Sequence, residues 1–160
     1  MSESRIFPTI VDNTVGLMEL IRKAVGWRNF ANIDEYITPE RFKLGNGVRM
    51  VNLELVAVFD RELKASAAKR LLADGYVLEN VGELIQFLIN NPDEVAKYSY
   101  VIALGEISRW VCLDGRIFVP SVNMLGKNCN FFLEVFQNPF DFRDQFIGPN
   151  CRVLVSRASK

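Results

Sequence analysis

Two acidic residues lie at a position in the sequence where a catalytic site could form. Asp60 and Glu62 follow directly after the alternating apolar run 48–59. Paired carboxylates hold divalent cations or serve as general acid and base, and sites often form where a strand ends. These two residues are therefore the candidate catalytic residues of a small enzyme that uses carboxylates. Arg61 and Lys64 lie beside them, so a solvated loop between a strand and a helix is the interpretation that we favour.

Histidine and cysteine usage limits the chemistry further. The chain contains no histidine, which excludes histidine-based catalytic triads and histidine metal ligands. Its three cysteines, Cys112, Cys129 and Cys151, are not spaced as a zinc pair, and each lies in or beside an apolar run. We predict that they are small buried residues, and that the protein has no metal site and no cofactor.

A binding surface is the other chemical possibility. The chain has 19 basic and 19 acidic residues, so its formal net charge is zero and a broadly basic nucleic-acid surface is excluded. Arg109, Trp110 and Arg116 surround the hairpin signal Asp114-Gly115. We predict that they are binding residues, with a protein as the favoured partner and nucleic acid as the less favoured one.

The chain shows no sign of export or membrane insertion. Residues 1–6 lack the apolar core of a signal peptide, and the longest uncharged run covers only residues 117–126. We therefore expect a cytoplasmic protein with reduced thiols and no membrane partner.

Hydrophobic spacing predicts the elements that must position these residues. Apolar residues at helical spacing indicate helices at 15–25 and 81–90, the second with Asn80 as its N-cap. Another helix is predicted from Ser66 to Gly75, and Thr38-Pro39 is typical of a short helix start.

Strands dominate from residue 98 onward. Alternating or buried apolar runs occur on both sides of Asp114-Gly115 and again near the end of the chain. Helices fall mainly in residues 12–97. This segregation predicts an α+β fold with a mainly antiparallel sheet and a strand-rich C-terminal half. The 160 residues are expected to form a single globular domain, 1–160.

Short landmarks along the whole chain resemble a family of uncharacterised bacterial proteins, many of them from candidate phyla. These landmarks are Thr9-Ile10-Val11-Asp12, Leu17-Met18-Glu19-Leu20-Ile21, Trp27 with Asn29, Ile37-Thr38, Phe42, Leu53-Glu54-Leu55-Val56, Gly75-Tyr76, Gly82-Glu83-Leu84, Val101-Ile102-Ala103-Leu104-Gly105, Val119-Pro120, Phe132-Leu133 and Arg152-Val153-Leu154-Val155-Ser156-Arg157. That family has no assigned activity, so the resemblance implies no catalytic residue.

The second half also resembles compact C-type-lectin-like domains related to formylglycine-generating enzymes. The order that carries this resemblance is Gly75-Tyr76, Glu83-Leu84, Ile102-Ala103-Leu104-Gly105 and the terminal Arg152-Val153-Leu154-Val155-Ser156-Arg157. The Trp-rich middle motifs and the calcium-binding carboxylates of that group are absent from the sequence. The resemblance implies a binding scaffold and not an enzyme.

Taken together, these observations favour a non-enzymatic binding or interaction module in the cytoplasm. The alternative is a small enzyme using carboxylates, with Asp60 and Glu62 as its candidates.

Overall fold

The apolar runs of the sequence form one mixed sheet with helices on both of its faces. The computed structural model describes residues 5–26 and 31–158, so the landmarks Trp27 and Asn29 lie outside the described residues. The strands are β1 Ile6–Asp12, β2 Ala31–Ile33, β3 Val48–Ala57, β4 Tyr76–Leu78, β5 Tyr100–Ile102, β6 Trp110–Val111, β7 Ile117–Leu125, β8 Asn128–Gln137 and β9 Cys151–Arg157. The helices are α1 Leu17–Val25, α2 Lys64–Ala73, α3 Val81–Asn90 and α4 Pro92–Val95, and 3-10 turns cover Glu106–Ser108 and Arg143–Gln145. The predicted α+β fold with a strand-rich C-terminal half is confirmed.

The sheet runs in the order β1-β3-β9-β5-β7-β8-β2, and most neighbouring strands are antiparallel. Parallel pairing joins β5 to β9 and β2 to β8. Strand β9 has two partners along one edge. Its first half pairs with β5 and its second half with β4. The sheet therefore divides near Leu154, where the N–H of Glu79 donates to the Leu154 carbonyl oxygen at 3.3 Å.

Each sheet face has its own core. Leu53 of β3 and Leu154 of β9 pack with residues of α1 and α3. Val56 and Val153, which point to the opposite face, pack with Leu71 of α2. This separation follows from strand geometry, because successive side chains point to opposite faces of a sheet. None of the helices in the described part of the chain combines the length and apolar character that crossing a membrane requires.

Two predicted helix starts differ from the structure. Thr38-Pro39 begins a turn and not a helix, since the N–H groups of Arg41 and Phe42 both donate to the Thr38 carbonyl oxygen. The chain leaves this turn where Phe42 enters the core, with none of its surface exposed. Helix α2 begins at Lys64 and not after Ser66, because the fully buried Lys64 side chain belongs to its first turn.

Asn80 precedes α3 as predicted, but its side chain does not cap the helix. The Val81 N–H donates to Ser108 Oγ at 2.8 Å, so a serine 27 positions away supplies the cap. Asn80 cannot do so because its amide lies tightly against Gly105. The cap thus fastens α3 to the turn that leads into β6.

Candidate functional site

Asp60 and Glu62 lie in the loop after β3, as the sequence predicts, but they have different environments. Asp60 is exposed. The Glu62 carboxylate accepts two hydrogen bonds from Arg70, both at 2.9 Å, and one from the Phe59 N–H at 3.1 Å. These bonds, the Arg70 bond foremost, lower the pKa of Glu62. Glu62 therefore ties this loop to α2. Among the described residues, no group of three or more cysteine or acidic side chains is arranged to hold a metal ion.

Trp110 is the centre of a stacked surface cluster. Its ring stacks on Tyr36 at 5.4 Å between centroids, and on Phe118 at the same separation. The Arg41 guanidinium lies 4.7 Å above Trp110, and that of Arg116 lies 5.4 Å from the Phe118 ring. We call these five residues the aromatic–arginine patch. Stacked rings and cation–π contacts each add about 0.5–1.5 kcal/mol beyond burial, so the patch is preorganised.

Exposed apolar side chains surround the hairpin beside this patch. The Cys112 N–H donates to the Arg116 carbonyl oxygen at 2.8 Å, and Gly115 has a φ of 93°, so a tight turn projects Leu113 into solvent. A Cβ on Gly115 would lie 3.4 Å from Pro139, which shows that the loop after β8 packs against the turn. The exposed apolar residues on these two segments are Val111, Leu113, Phe140 and Phe142.

Arg109 belongs to a separate site. It precedes Trp110 in extended backbone, so its side chain points to the opposite face of the sheet. Its Nε and Nη2 donate to the Leu104 carbonyl oxygen at 3.1 and 2.8 Å, and its guanidinium lies 4.4 Å from the Phe136 ring. Of the three predicted binding residues, the structure therefore brings Trp110 and Arg116 together and separates Arg109 from them.

A buried carboxyl pair that was not predicted, Glu79 and Glu83, lies at the point where the sheet divides. Both side chains are only 1% exposed, and Arg49 Nη2 bridges them at 3.1 Å to Glu79 Oε2 and 2.7 Å to Glu83 Oε1. Ser156 Oγ donates to Glu79 Oε1 at 2.5 Å. Glu83 Oε2 is buried without a hydrogen-bond partner among the described residues. The pair thus joins β3, β9 and the start of α3 in one polar network.

The surroundings of the carboxyl pair favour the protonated form of Glu79. Burial raises the pKa of Glu79, and the neighbouring Glu83 carboxylate raises it further. The hydrogen bond from Ser156 and the positive charge of Arg49 act in the opposite direction, but burial outweighs them and the pKa of Glu79 stays raised. A surface pocket of about 250 Å³ reaches this network at Arg49 and Ser156. Paired carboxyl groups of this kind exchange protons in acid–base chemistry.

The i, i+4 spacing of Glu79 and Glu83, followed by the apolar helix 84–88, was the signal available in the sequence. That spacing places two acids near each other but is common on solvated helix faces. Only the folded structure shows that both side chains are buried and that Arg49, 34 residues before Glu83, bridges them.

We expect Glu79→Gln to change how stability depends on pH. Because burial holds the pKa of Glu79 above its ordinary value, folding favours the protonated form. The stability that Glu79 contributes is therefore fully present at low pH and is lost as the pH rises through its folded-state pKa. Urea unfolding between pH 4.5 and 8 should show the variant gaining stability relative to the unmodified protein as pH rises. The exposed Glu35→Gln is the control, and parallel curves for Glu79→Gln would contradict the prediction.

The thiols of Cys112 and Cys151 are not activated as nucleophiles. Cys112 is half-buried, and burial raises the pKa of its thiol. Burial also raises the pKa of Cys151 to about 12, although a hydrogen bond with Tyr100 opposes the shift. Both thiols are therefore protonated at neutral pH, which makes them poor nucleophiles.

None of the protein-family models, curated proteins or solved structures compared with the chain matches it.

Proposed function

We propose that the protein is a non-enzymatic cytoplasmic binding module that recognises a protein partner through the aromatic–arginine patch. The observation that carries this proposal is the continuous stack of Arg41 and Tyr36 on Trp110, and of Trp110 on Phe118, at a partly exposed surface. Tryptophan, tyrosine and arginine are the residues in which binding energy concentrates at protein interfaces. Since the stack is already formed, little side-chain entropy is lost on binding.

The surroundings of the patch favour an apolar partner surface with an acidic group. Val111 and Leu113 offer exposed apolar area next to the stack. Arg41 donates to Thr38 Oγ1 at 3.4 Å and has no ion-pair partner in the described part of the chain. Arg116, in contrast, is paired with Asp114 at 2.8 Å. A carboxylate of the partner would therefore meet Arg41 rather than Arg116.

A photo-crosslinking amino acid at Leu113 tests the proposal in extracts of the source organism. We expect one discrete protein adduct, with at least tenfold less of it when Trp110→Ala is added, because loss of a tryptophan hot spot costs about 2 kcal/mol or more. The same crosslinker at Met18, an exposed position of α1, is the control. Circular dichroism shows whether Trp110→Ala still folds. The surface variant Arg41→Gln tests recognition by the patch without removing a ring, so lost recognition and lost folding are separated. An adduct that forms equally without Trp110 would contradict the assignment.

Nucleic acid is the competing partner, because bases also stack on aromatic surfaces. In a Trp27→Phe background, Trp110 is the single tryptophan and reports directly on the patch. We expect no quenching of its fluorescence by oligo(dT) or oligo(U) at 100 mM salt. Saturable quenching that Arg41→Gln weakens would assign the patch to single-stranded nucleic acid.

The second candidate function, a small enzyme using carboxylates, is favoured by the Glu79–Glu83 pair rather than by Asp60 and Glu62. A buried carboxyl group whose pKa its surroundings raise, as they do for Glu79, is suited to acid–base catalysis. Against this, Arg49 and Ser156 already occupy three of their four oxygen atoms. A hydrolase or isomerase activity that Glu83→Gln abolishes and Glu62→Gln leaves intact would support the enzyme over the binding module.

A further inference from the structure

A cavity of about 550 Å³ lies on the sheet face opposite Trp110, between α2, β4 and the turn that carries Arg109. Its volume falls within the range of small-molecule sites in proteins, which is about 300–1,000 Å³. The cavity lies beside the division in the sheet, where β4 has replaced β5 as the partner of β9.

The walls of the cavity are apolar and incompletely covered by the protein itself. Leu72 of α2, Val77 of β4 and Ile107 of the 3-10 turn line it, and all three are exposed large hydrophobic residues. Phe136, beneath the Arg109 guanidinium, lines it as well. A ligand with an apolar body would remove these walls from water, which is the main source of affinity in such sites.

The polar groups of the cavity are mainly donors. Arg109 and Lys69 line it, and neither has an ion-pair partner among residues 5–26 and 31–158. Asn80 lines it too. Its Oδ1 is buried against Gly105, so the amide nitrogen is the end left for a ligand. Among the described residues that line the cavity, Glu106 is the one acid, and its charge acts on Arg109, so two basic side chains stand against one acidic side chain.

Arg109 is held in place before any ligand arrives. Two of its N–H groups donate to Leu104, and its flat face rests on Phe136. An arginine fixed in this way retains donors for a further acceptor, and a carboxylate matches the guanidinium geometry. A half-buried guanidinium that forms no ion pair with a carboxylate in the described part of the chain is a suitable place for an anionic group of a ligand.

We propose that this cavity is a binding site for a small monocarboxylic acid with an apolar alkyl or aryl body, whose carboxylate meets Arg109 and Lys69. The site is independent of the proposed protein-binding patch, because the two lie on opposite faces of the sheet. Asn80 supplies a hydrogen-bond donor, and Leu72, Val77 and Ile107 enclose the apolar body.

Titration of the 15N-labelled protein with octanoate and 4-phenylbutyrate, followed by NMR, tests this site. We expect saturable shifts of the amides of Ala65, Lys69, Val77 and Ile107 below 5 mM ligand, and at least tenfold weaker binding of octanamide and 1-octanol. Lys69→Gln should weaken octanoate binding about threefold and Arg109→Gln at least tenfold, whereas the exposed Arg22→Gln should leave it unchanged. Since Arg109→Gln also loses bonds to Leu104, the exposed Lys69 and the neutral analogues keep the test valid if that variant does not fold.

The proposal would be overturned by the absence of saturable shifts with either acid, by equal binding of octanoate and octanamide, or by shifts confined to residues outside the cavity. A peptide with an apolar C-terminal residue that bound more tightly than both free acids would also overturn the small-molecule assignment. Trp110→Ala should leave octanoate binding within twofold of the unmodified protein, so failure of this site and failure of the protein-binding patch are distinguishable.

Discussion

Replacing Arg49 with methionine is expected to lower the free energy of unfolding by about 2–3 kcal/mol at pH 7. Removing one partner of a buried ion pair typically costs about 3–5 kcal/mol, because the other charge is left buried and unpaired. The expected value is lower here because the Arg49 side chain is 46% exposed and solvent screens it. Urea unfolding of the purified variant measures the loss.

The expected pH dependence of Arg49→Met is specific to the carboxyl pair. Without the arginine, Glu79 loses a positive charge that favours its ionised form, so protonation of Glu79 at low pH should restore stability. We therefore expect the loss at pH 5 to be less than half of the loss at pH 7. Adding Glu79→Gln to Arg49→Met should recover more than half of the lost free energy of unfolding at pH 7, since the double variant has one buried carboxylate instead of two.

Arg22→Met provides the matched control for Arg49→Met. Arg22 pairs with Glu19 at 2.6 Å, but its side chain is 76% exposed. Surface pairs of this kind contribute about 0–1 kcal/mol, so the expected change is below about 0.5 kcal/mol at both pH values. Equal losses for the two variants, or a loss at Arg49 that does not vary with pH, would show that Arg49 stabilises the protein by packing alone.

Gly105→Ala is the second substitution for which we expect a large effect, a loss of about 3 kcal/mol. A Cβ at Gly105 would overlap the Asn80 amide and lie 2.7 Å from the carbonyl oxygen of Glu79. The backbone is the more serious obstacle, because the Gly105 N–H also donates to that oxygen at 2.9 Å. Overpacking of this kind costs about 1–3 kcal/mol, and more when the neighbour cannot move.

A double substitution separates the two contacts at Gly105. Asn80→Ala removes the flexible neighbour, so Gly105→Ala should cost less in that background, while the contact with the Glu79 backbone keeps part of the loss. Gly16→Ala is the control, since a Cβ there meets nothing within 4 Å and the φ of −65° suits alanine. Thermal and urea unfolding of the four variants measure these differences. A change below about 1 kcal/mol at Gly105, equal to that at Gly16, would contradict the close packing.

The predicted pattern of strands and helices succeeded where neighbouring residues carried the information. The alternation of residues 48–59 corresponds to β3, and the helical spacing of Leu17, Leu20 and Ile21 corresponds to the buried face of α1. These patterns depend on residues two to four positions apart, so they are visible without a fold. They fail at short elements. Ala31–Ile33 is a strand only because β8 lies beside it.

In the candidate sites, too, the sequence predicted what depends on neighbouring residues and missed what depends on tertiary contacts. Arg109 and Trp110 are neighbours in the chain and were predicted to act together, but extended backbone sends them to opposite faces. Glu62 is of a residue type that can act in catalysis, but Arg70, in the last turn of the next helix, forms two hydrogen bonds with its carboxylate. In each case the deciding contact involves a side chain whose direction or distance the local sequence does not specify.

The sequence by itself determined the fold class and excluded chemistry that requires histidine. Hydrophobic periodicity is a local property, and the absence of histidine is a matter of composition, so both are independent of tertiary contacts. The tertiary structure alone decided the carboxyl pair, the aromatic–arginine patch and the Arg109 cavity. Arg49 lies 34 residues from Glu83, and Glu79 lies 77 residues from Ser156. Such groups meet only when the sheet forms, because strand order, rather than sequence distance, sets which side chains share a site.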